Sequence, residues 1–274
     1  MLAAMAALIA LTGTAEASVD PDCAAVAAAG PPADYSEQGQ QDYLLNFFSL
    51  ATTFSPLHSP VPHKPGHGSI GIEAAIIPAL SCEQRLVLDY TKTEDTNKAP
   101  VAPRPRLHFS FPKIGRLVPY AGLGYVPPVT VFGTRNVIVS GELGVGVPLD
   151  SGMLLGGRYH ATLMKTVAEI ATPFNVGDPA YDDFYVGSTF GVDGLLGWDF
   201  DGWQPYLAVG FTDVSTFFFI GDDSLVTNNS TPYAGVTSSL GVQAKVIQHV
   251  DLAGEFYTAP GYIYTGRLRA AYRW

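Results

Sequence analysis

The feature that most limits what this chain can become is the residue pattern of its carboxyl-terminal segment, Tyr262 to Trp274. Counting back from Trp274, the residues Tyr272, Ala270, Leu268, Gly266, Tyr264 and Tyr262 share one face. Arg273, Ala271, Arg269, Arg267, Thr265 and Ile263 share the other. A period of two denotes an extended strand whose successive side chains point to opposite faces. Two architectures accept such a strand. In a soluble sandwich the apolar face packs inward and the arginines meet water. In a membrane barrel the apolar face meets lipid and the arginines line the lumen.

Further segments repeat the alternation, and their polar faces favour the second architecture. Val236, Leu240, Val242, Ala244 and Val246 alternate with Thr237, Ser239, Gly241, Gln243 and Lys245. Val137, Val139, Leu143, Val145 and Val147 alternate with Ser140, Glu142, Gly144 and Gly146. The polar faces mix charge with much Gly and Ser, while the apolar faces hardly break. No internal apolar run reaches the roughly eighteen residues that a spanning helix needs, although 47% of the 274 residues are hydrophobic and only 15% are charged. A formal net charge of −10 argues against nucleic acid as a partner, because phosphate would be repelled.

The apolar stretch Leu2 to Leu11, followed by Ala15-Glu16-Ala17, reads as a secretory signal peptide, residues 1–17, cut after Ala17. Residues 18–42, rich in Ala, Pro, Gly and Gln, read as a flexible periplasmic segment, and 43–274 as the barrel domain. Turn signals divide the barrel region. Short connections fall at Leu80–Gln84, Pro112–Arg116, Leu149–Gly152, Asp199–Gly202 and Ile247–Val250. Longer polar loops fall at Ser59–Gly68, Thr93–Pro103, Pro127–Arg135, Thr172–Asp183 and Gly221–Ser230, and Pro260-Gly261 makes one further tight turn. Short and long connections alternate, as the turns and loops of a membrane barrel do. The expected fold is an all-β, transmembrane, antiparallel up-and-down barrel of about twelve strands starting near Leu44, with both termini periplasmic. Cys23 and Cys82, the two cysteines, are expected to form a disulfide, with both placed on the periplasmic side.

The closing Tyr272-Arg273-Trp274, with apolar residues at every second position before it, resembles the assembly signal of bacterial outer-membrane β-barrel proteins, a porin-like class. Pro119-Tyr120-Ala121-Gly122, Pro205-Tyr206-Leu207-Ala208 and Pro232-Tyr233-Ala234-Gly235 are similar to strand openings common in such barrels. That family usually ends in Phe, so Trp274 is a departure. The resemblance implies an outer-membrane location, outer-membrane lipid and the barrel-assembly machinery as partners, with Tyr272 and Trp274 as the assembly signal. Other envelope proteins are further candidate partners.

The lumen is expected to carry Glu73, Asp89, Arg106, His108, Glu142, Arg158, His160, Asp193, Lys245, Asp251, Glu255, Arg267 and Arg269. Asp251 and Glu255 should face the strand of Arg267 and Arg269 across the Pro260-Gly261 hairpin. Such groups either pair with one another to compensate burial or form a constriction that orients solutes. His58, His63 and His67 crowd one Pro-rich loop and are read as solvated rather than metal-bound. The favoured function is a porin-like channel for small solutes, with no catalytic residues, cofactor or metal. Two alternatives stand beside it: a docking component of an envelope complex, and a lipid-modifying enzyme of the outer membrane.

Overall fold

The computed structural model describes residues 21–94, 100–131, 134–168, 170–173, 182–220 and 225–274. The expected signal peptide lies outside them. The chain opens with helices α1 (Pro21–Ala29) and α2 (Glu37–Thr52), then strand β1 (Gly68–Ile76). A short helix α3 (Cys82–Arg85) follows, with β2 (Leu86–Val87) and β3 (Lys92–Glu94). Next come β4 (Val101–Ser110), β5 (Val118–Val131), β6 (Thr134–Pro148), β7 (Met153–Ala168), β8 (Ala171–Pro173) and β9 (Asp183–Trp198). The chain finishes with β10 (Trp203–Ile220), β11 (Leu225–Asn228), β12 (Ala234–Ile247), β13 (Val250–Ala259) and β14 (Ile263–Arg273).

Antiparallel pairing runs β1-β4-β5-β6-β7-β9-β10-β12-β13-β14, and β14 pairs back onto β1, with Ser69 opposite Arg273. Among the described residues β11 pairs only with β10, and ten strands close the barrel rather than the expected twelve. The orientation of side chains decides the class. Leu240 and Leu268 are 63% and 60% exposed on the outside, whereas Arg267 and Arg269 are 1% and 3% exposed on the inside. An oily exterior around a charged interior is stable only in hydrocarbon.

Two expected strands are something else. The first, near Leu44 to Ser55, is helix α2. Ser36 caps it, its hydroxyl accepting from Gly39 N at 3.2 Å, and Glu37 occupies the first turn, where negative charge suits the helix dipole. Leu44, Leu45, Phe47, Leu50 and Ala51 are all buried because the helix lies inside the barrel. Residues 18–42 are correspondingly not a free segment over their described part: α1 spans Pro21–Ala29, and Asp42 is buried within α2. The second missing strand, around 85–92, is interrupted by Leu88, Asp89 and Tyr90, all with left-handed backbone. Its flanks join β8 in a three-stranded sheet of β2, β3 and β8.

Gly68 and Trp274 exchange backbone hydrogen bonds, so β1 starts at the rim where the chain ends. The short connections 111–117, 149–152, 199–202 and 248–249 share this C-terminal rim. The connection 77–100, which carries Cys82, lies at the far rim, and Cys23 is bonded to it. The disulfide is therefore present but at the rim opposite the expected one, and the described start of the chain lies opposite Trp274. The loop expected at Pro127–Arg135 is also shorter, since β5 reaches Val131 and β6 resumes at Thr134.

Candidate functional site

From α2 at the far rim, residues 53–67 run through the lumen to β1 at the other rim. The barrel wall grips this inner segment mainly by its backbone. Arg104 donates to Thr52 O at 2.8 Å, and Arg267 donates to Thr53 O and, at 3.3 Å, to Leu50 O. These carbonyls lie at the carboxyl end of α2, where the ladder of helical donors runs out and the negative pole of the dipole sits. Two guanidinium groups are the matching cap. Below them, Arg158 donates to Phe54 O at 2.8 Å and Arg106 to Ser55 O at 2.9 Å. The Phe54 ring lies under the Arg106 guanidinium at 3.8 Å, a cation–π contact. Leu57, with a φ of 48°, turns its N–H onto Glu255 at 2.9 Å, and Tyr206 donates to the same oxygen at 2.8 Å.

The carboxylates tie the arginines together. Glu73 accepts from Arg104 at 2.6 Å and Arg106 at 2.8 Å. Arg158 bridges Glu142 at 2.5 Å and Asp193 at 2.8 Å. His58 and His108 each place Nε2 3.0 Å from Glu142 Oε1, and His160 lies 3.5 Å from Asp193. Buried charges are costly unless paired, and Glu73, Glu142 and Asp193 each have at least one guanidinium within 2.8 Å.

Missing side chains on the wall make room for the inner segment. Pro60 sits against Gly156 and Gly197, where an added Cβ would lie 3.1 Å and 2.9 Å from the proline ring. A Cβ at Gly146 would meet Val61 at 2.7 Å, and one at Gly124 would meet Phe54 at 2.8 Å. Gln204 and Gln243 complete the notch, holding the Ser59 hydroxyl at 2.8 Å and the Ser59 N–H at 3.1 Å.

Of the residues expected in the lumen, Glu73, Arg106, His108, Glu142, Arg158, His160, Asp193, Asp251, Glu255, Arg267 and Arg269 are buried inside it. Asp89 and Lys245 are not. Asp89 sits exposed in the far-rim connection with left-handed backbone, and Lys245, on the lumen face opposite Asp251, is exposed near the C-terminal rim. The expected facing of acids and arginines holds in register, Glu255 standing opposite Arg267. The ion pairs fall elsewhere: among the described residues Arg267 and Arg269 have no carboxylate partner, and Asp251 takes Arg273 at 2.8 Å. Sequence reasoning missed Arg104, placed at the edge of a loop, and the entire inner segment. His58 and His63 are buried in the lumen rather than solvated in an outer loop.

Two constellations invite chemical readings. His58, His108 and Glu142 bring three metal-type donors within 4.8 Å of one another. Arg269 Nη1, a donor, lies 3.1 Å from His108 Nδ1, so that nitrogen must accept and the ring proton sits on Nε2, facing Glu142. The proton occupies the position a metal would need, and Arg106 and Arg158 add cations around the same carboxylate. The three groups form a buried ion cluster. His63 lies 2.9 Å from the Ser69 hydroxyl and 3.9 Å from Asp251. That resembles a hydrolytic triad in composition, yet the aspartate is beyond hydrogen-bond reach of the ring and is held by Arg273.

The outer surface carries aromatic residues toward both rims. Trp198, Phe200, Trp203, Tyr272 and Trp274 are exposed at the C-terminal rim, and Phe217, Phe256 and Tyr264 toward the far rim. Such rings prefer the headgroup region. Tyr262, which the alternation of the last strand puts on the lipid-facing side, instead stacks on Tyr43 of α2.

No family model matches the chain, and no curated protein matches it. Among solved structures, the translocator domain of the autotransporter NalP from Neisseria meningitidis is 11% identical, with a TM-score of 0.39, covering 92% of this chain and 98% of its own. An outer-membrane channel from Pseudomonas putida F1 is 10% identical, with a TM-score of 0.39 and coverages of 81% and 100%. The toluene transporter TbuX of Ralstonia pickettii is 10% identical, with a TM-score of 0.37 and coverages of 82% and 96%. By the closure of its sheet and the inversion of its polarity, the chain is a β-barrel of the bacterial outer-membrane type, filled by its own amino-terminal segment.

Proposed function

We propose that this chain is an integral outer-membrane barrel acting as a channel for small solutes, gated by the segment that fills it. The C-terminal rim, with its short turns, faces the periplasm, and the far rim faces outward. The observation that carries the reading is the lining. Eleven of the residues expected in the lumen point inward, and the wall holds the inner segment chiefly through that segment's backbone carbonyls. A permanent filling is better served by apolar packing, because buried ion pairs add little net stability. A charged wall suits a lumen that is hydrated when the segment leaves. We read the chain as non-enzymatic, a view that the loose Ser69–His63–Asp251 geometry favours.

The Cys23–Cys82 bond bears on gating. While it is intact, the segment is fixed at the far rim and continues into β1 at the other rim, so it must cross the lumen. Once it is reduced, the segment is free to withdraw toward the C-terminal rim. The same fastening favours a second reading, a barrel kept shut that serves as a docking anchor. Planar-bilayer recordings separate the two. The oxidised protein should be closed, while Cys23→Ser with Cys82→Ser, or a chain lacking residues 21–64, should conduct. A correctly folded deletion variant that passes no ions would sink the channel reading.

A further inference from the structure

The wall of the barrel is incomplete between β4 and β5. Their ladder pairs only Arg106–Ser110 with Tyr120–Gly124. Above it, among the described residues, nothing in 101–105 pairs with 125–131. Each strand nevertheless stays paired on its other side, Val101 to Ile76 in β1, and β5 to β6 at Val126 and again from Val129, across a bulge at Pro127 and Pro128. The gap is a seam in the wall rather than frayed ends.

Proline explains it. Ser110 N donates to His67 O on the β1 side, whereas Phe111 N donates to Pro119 O on the β5 side. Donors alternate along an antiparallel strand, so the odd-numbered residues of β4 serve β5. Continuing the register, residue 105 would stand opposite 125 and residue 103 opposite 127. Those positions are Pro105, Tyr125, Pro103 and Pro127. Two hydrogen-bonded pairs need four N–H donors, and three of the four are proline, which has none. The alternation that would close the seam is cancelled on both edges.

The seam has apolar surroundings on both sides. Outside it, Ile76, Val101, Tyr125 and Val129 face the lipid. Inside it, Val126 packs on a buried cluster of Leu45, Ile138, Met164 and Tyr185. The upper lumen is oily, unlike the charged lower part. Arg104, paired to Glu73, forms the floor beside Gly124.

We propose that the β4–β5 seam is a lateral binding site for one acyl chain of a bilayer lipid, which enters between the strands and lies against Val126. The lipid-facing residues that border the opening make that lipid the occupant, since it already bathes them at high concentration. The site goes beyond the channel reading and does not depend on it, because it needs neither conduction nor movement of the inner segment.

The test places a diazirine-bearing amino acid at Val126, at Leu123 outside the wall, and at Ser239, which points inward and is paired on both sides, to Ala208 and to Tyr257. The full-length protein is reconstituted in phosphatidylcholine vesicles and irradiated, and lipid adducts are measured by mass spectrometry. Positions 126 and 123 should give adducts and position 239 should not. Adduct at position 126 no greater than at 239 overturns the proposal. Pro103→Val with Pro105→Val restores two donors and should lower the adduct at position 126 roughly tenfold, leaving that at 123 unchanged. Pro105→Val alone serves if the double variant fails to fold. An adduct at 126 that is indifferent to the restored donors equally overturns it.

Discussion

Replacing Arg267 by Met keeps the aliphatic volume and removes the guanidinium that holds the carboxyl end of α2. Arg267 is fully buried, its acceptors are Leu50 O, Ala51 O and Thr53 O, and its head lies 4.3 Å from the Tyr257 ring. A cation at a partly buried helix end contributes up to about 2 kcal/mol. Charge-assisted hydrogen bonds contribute about 1.5–3 kcal/mol, overlapping the first figure because the same atoms make both. The desolvation of the lost cation offsets part of the loss. A net weakening of about 2–3 kcal/mol in the docking of the inner segment follows. It raises the undocked population roughly 30- to 150-fold. Hydrogen exchange reads this directly, since local opening sets amide protection. Protection in the last two turns of α2 should fall by that factor, with β6 and β7 unaffected. Unchanged protection in α2, or an equal loss across the wall strands, would refute the view that Arg267 holds the segment rather than the barrel.

Three further perturbations probe the same arrangement. Gly156→Val drives methyl groups into Pro60 and should weaken docking by about 1–3 kcal/mol, read as lost amide protection over residues 57–61. Gly157→Val, whose added Cβ makes only ordinary contact, is the matched control and should change nothing there. Glu142→Gln leaves Arg158, His58 and His108 facing a neutral amide and should cost about 3–5 kcal/mol. Thermal unfolding in detergent would measure it, and a melting point equal to wild type would contradict the network. Ser36→Ala removes the cap of α2 and should cost about 1 kcal/mol, visible as faster exchange confined to its first turn.

From Val101 onward the strands were legible because a two-sided environment imposes a two-sided pattern. Leu268 against Arg267, or Leu240 against Ser239, states it residue by residue. The helix inside was not legible for the same reason in reverse. Leu44-Leu45-Asn46-Phe47-Phe48 meets protein on nearly every side, so no polar stripe betrays a period of 3.6. Ser36-Glu37 as a cap and first turn was the available signal. The false strand near 85–92 arose because Leu88, Asp89 and Tyr90 adopt left-handed backbone without a glycine to announce it. Two spurious strands cancel in parity, which is why every turn after Val101 falls at the expected rim while the earlier connections are inverted. The lumenal charges were legible from strand faces, but their partners were not, since those are carbonyls of a segment taken for wall and loop. Gly146, Gly156 and Gly197, all small and turned inward, were the trace that something else fills the centre.

The bond between Cys23 and Cys82 also records the order in which the molecule is put together. Cys82 comes after the first wall strand and Cys23 before the interior helix, so the two sulfurs meet only when the polypeptide between them has crossed from one opening to the other. A molecule whose sheet closed around an empty centre would strand its amino end at the wrong mouth, with both thiols unreacted. Free thiols in a folded population kept under oxidising conditions therefore count the molecules that closed without the segment in place.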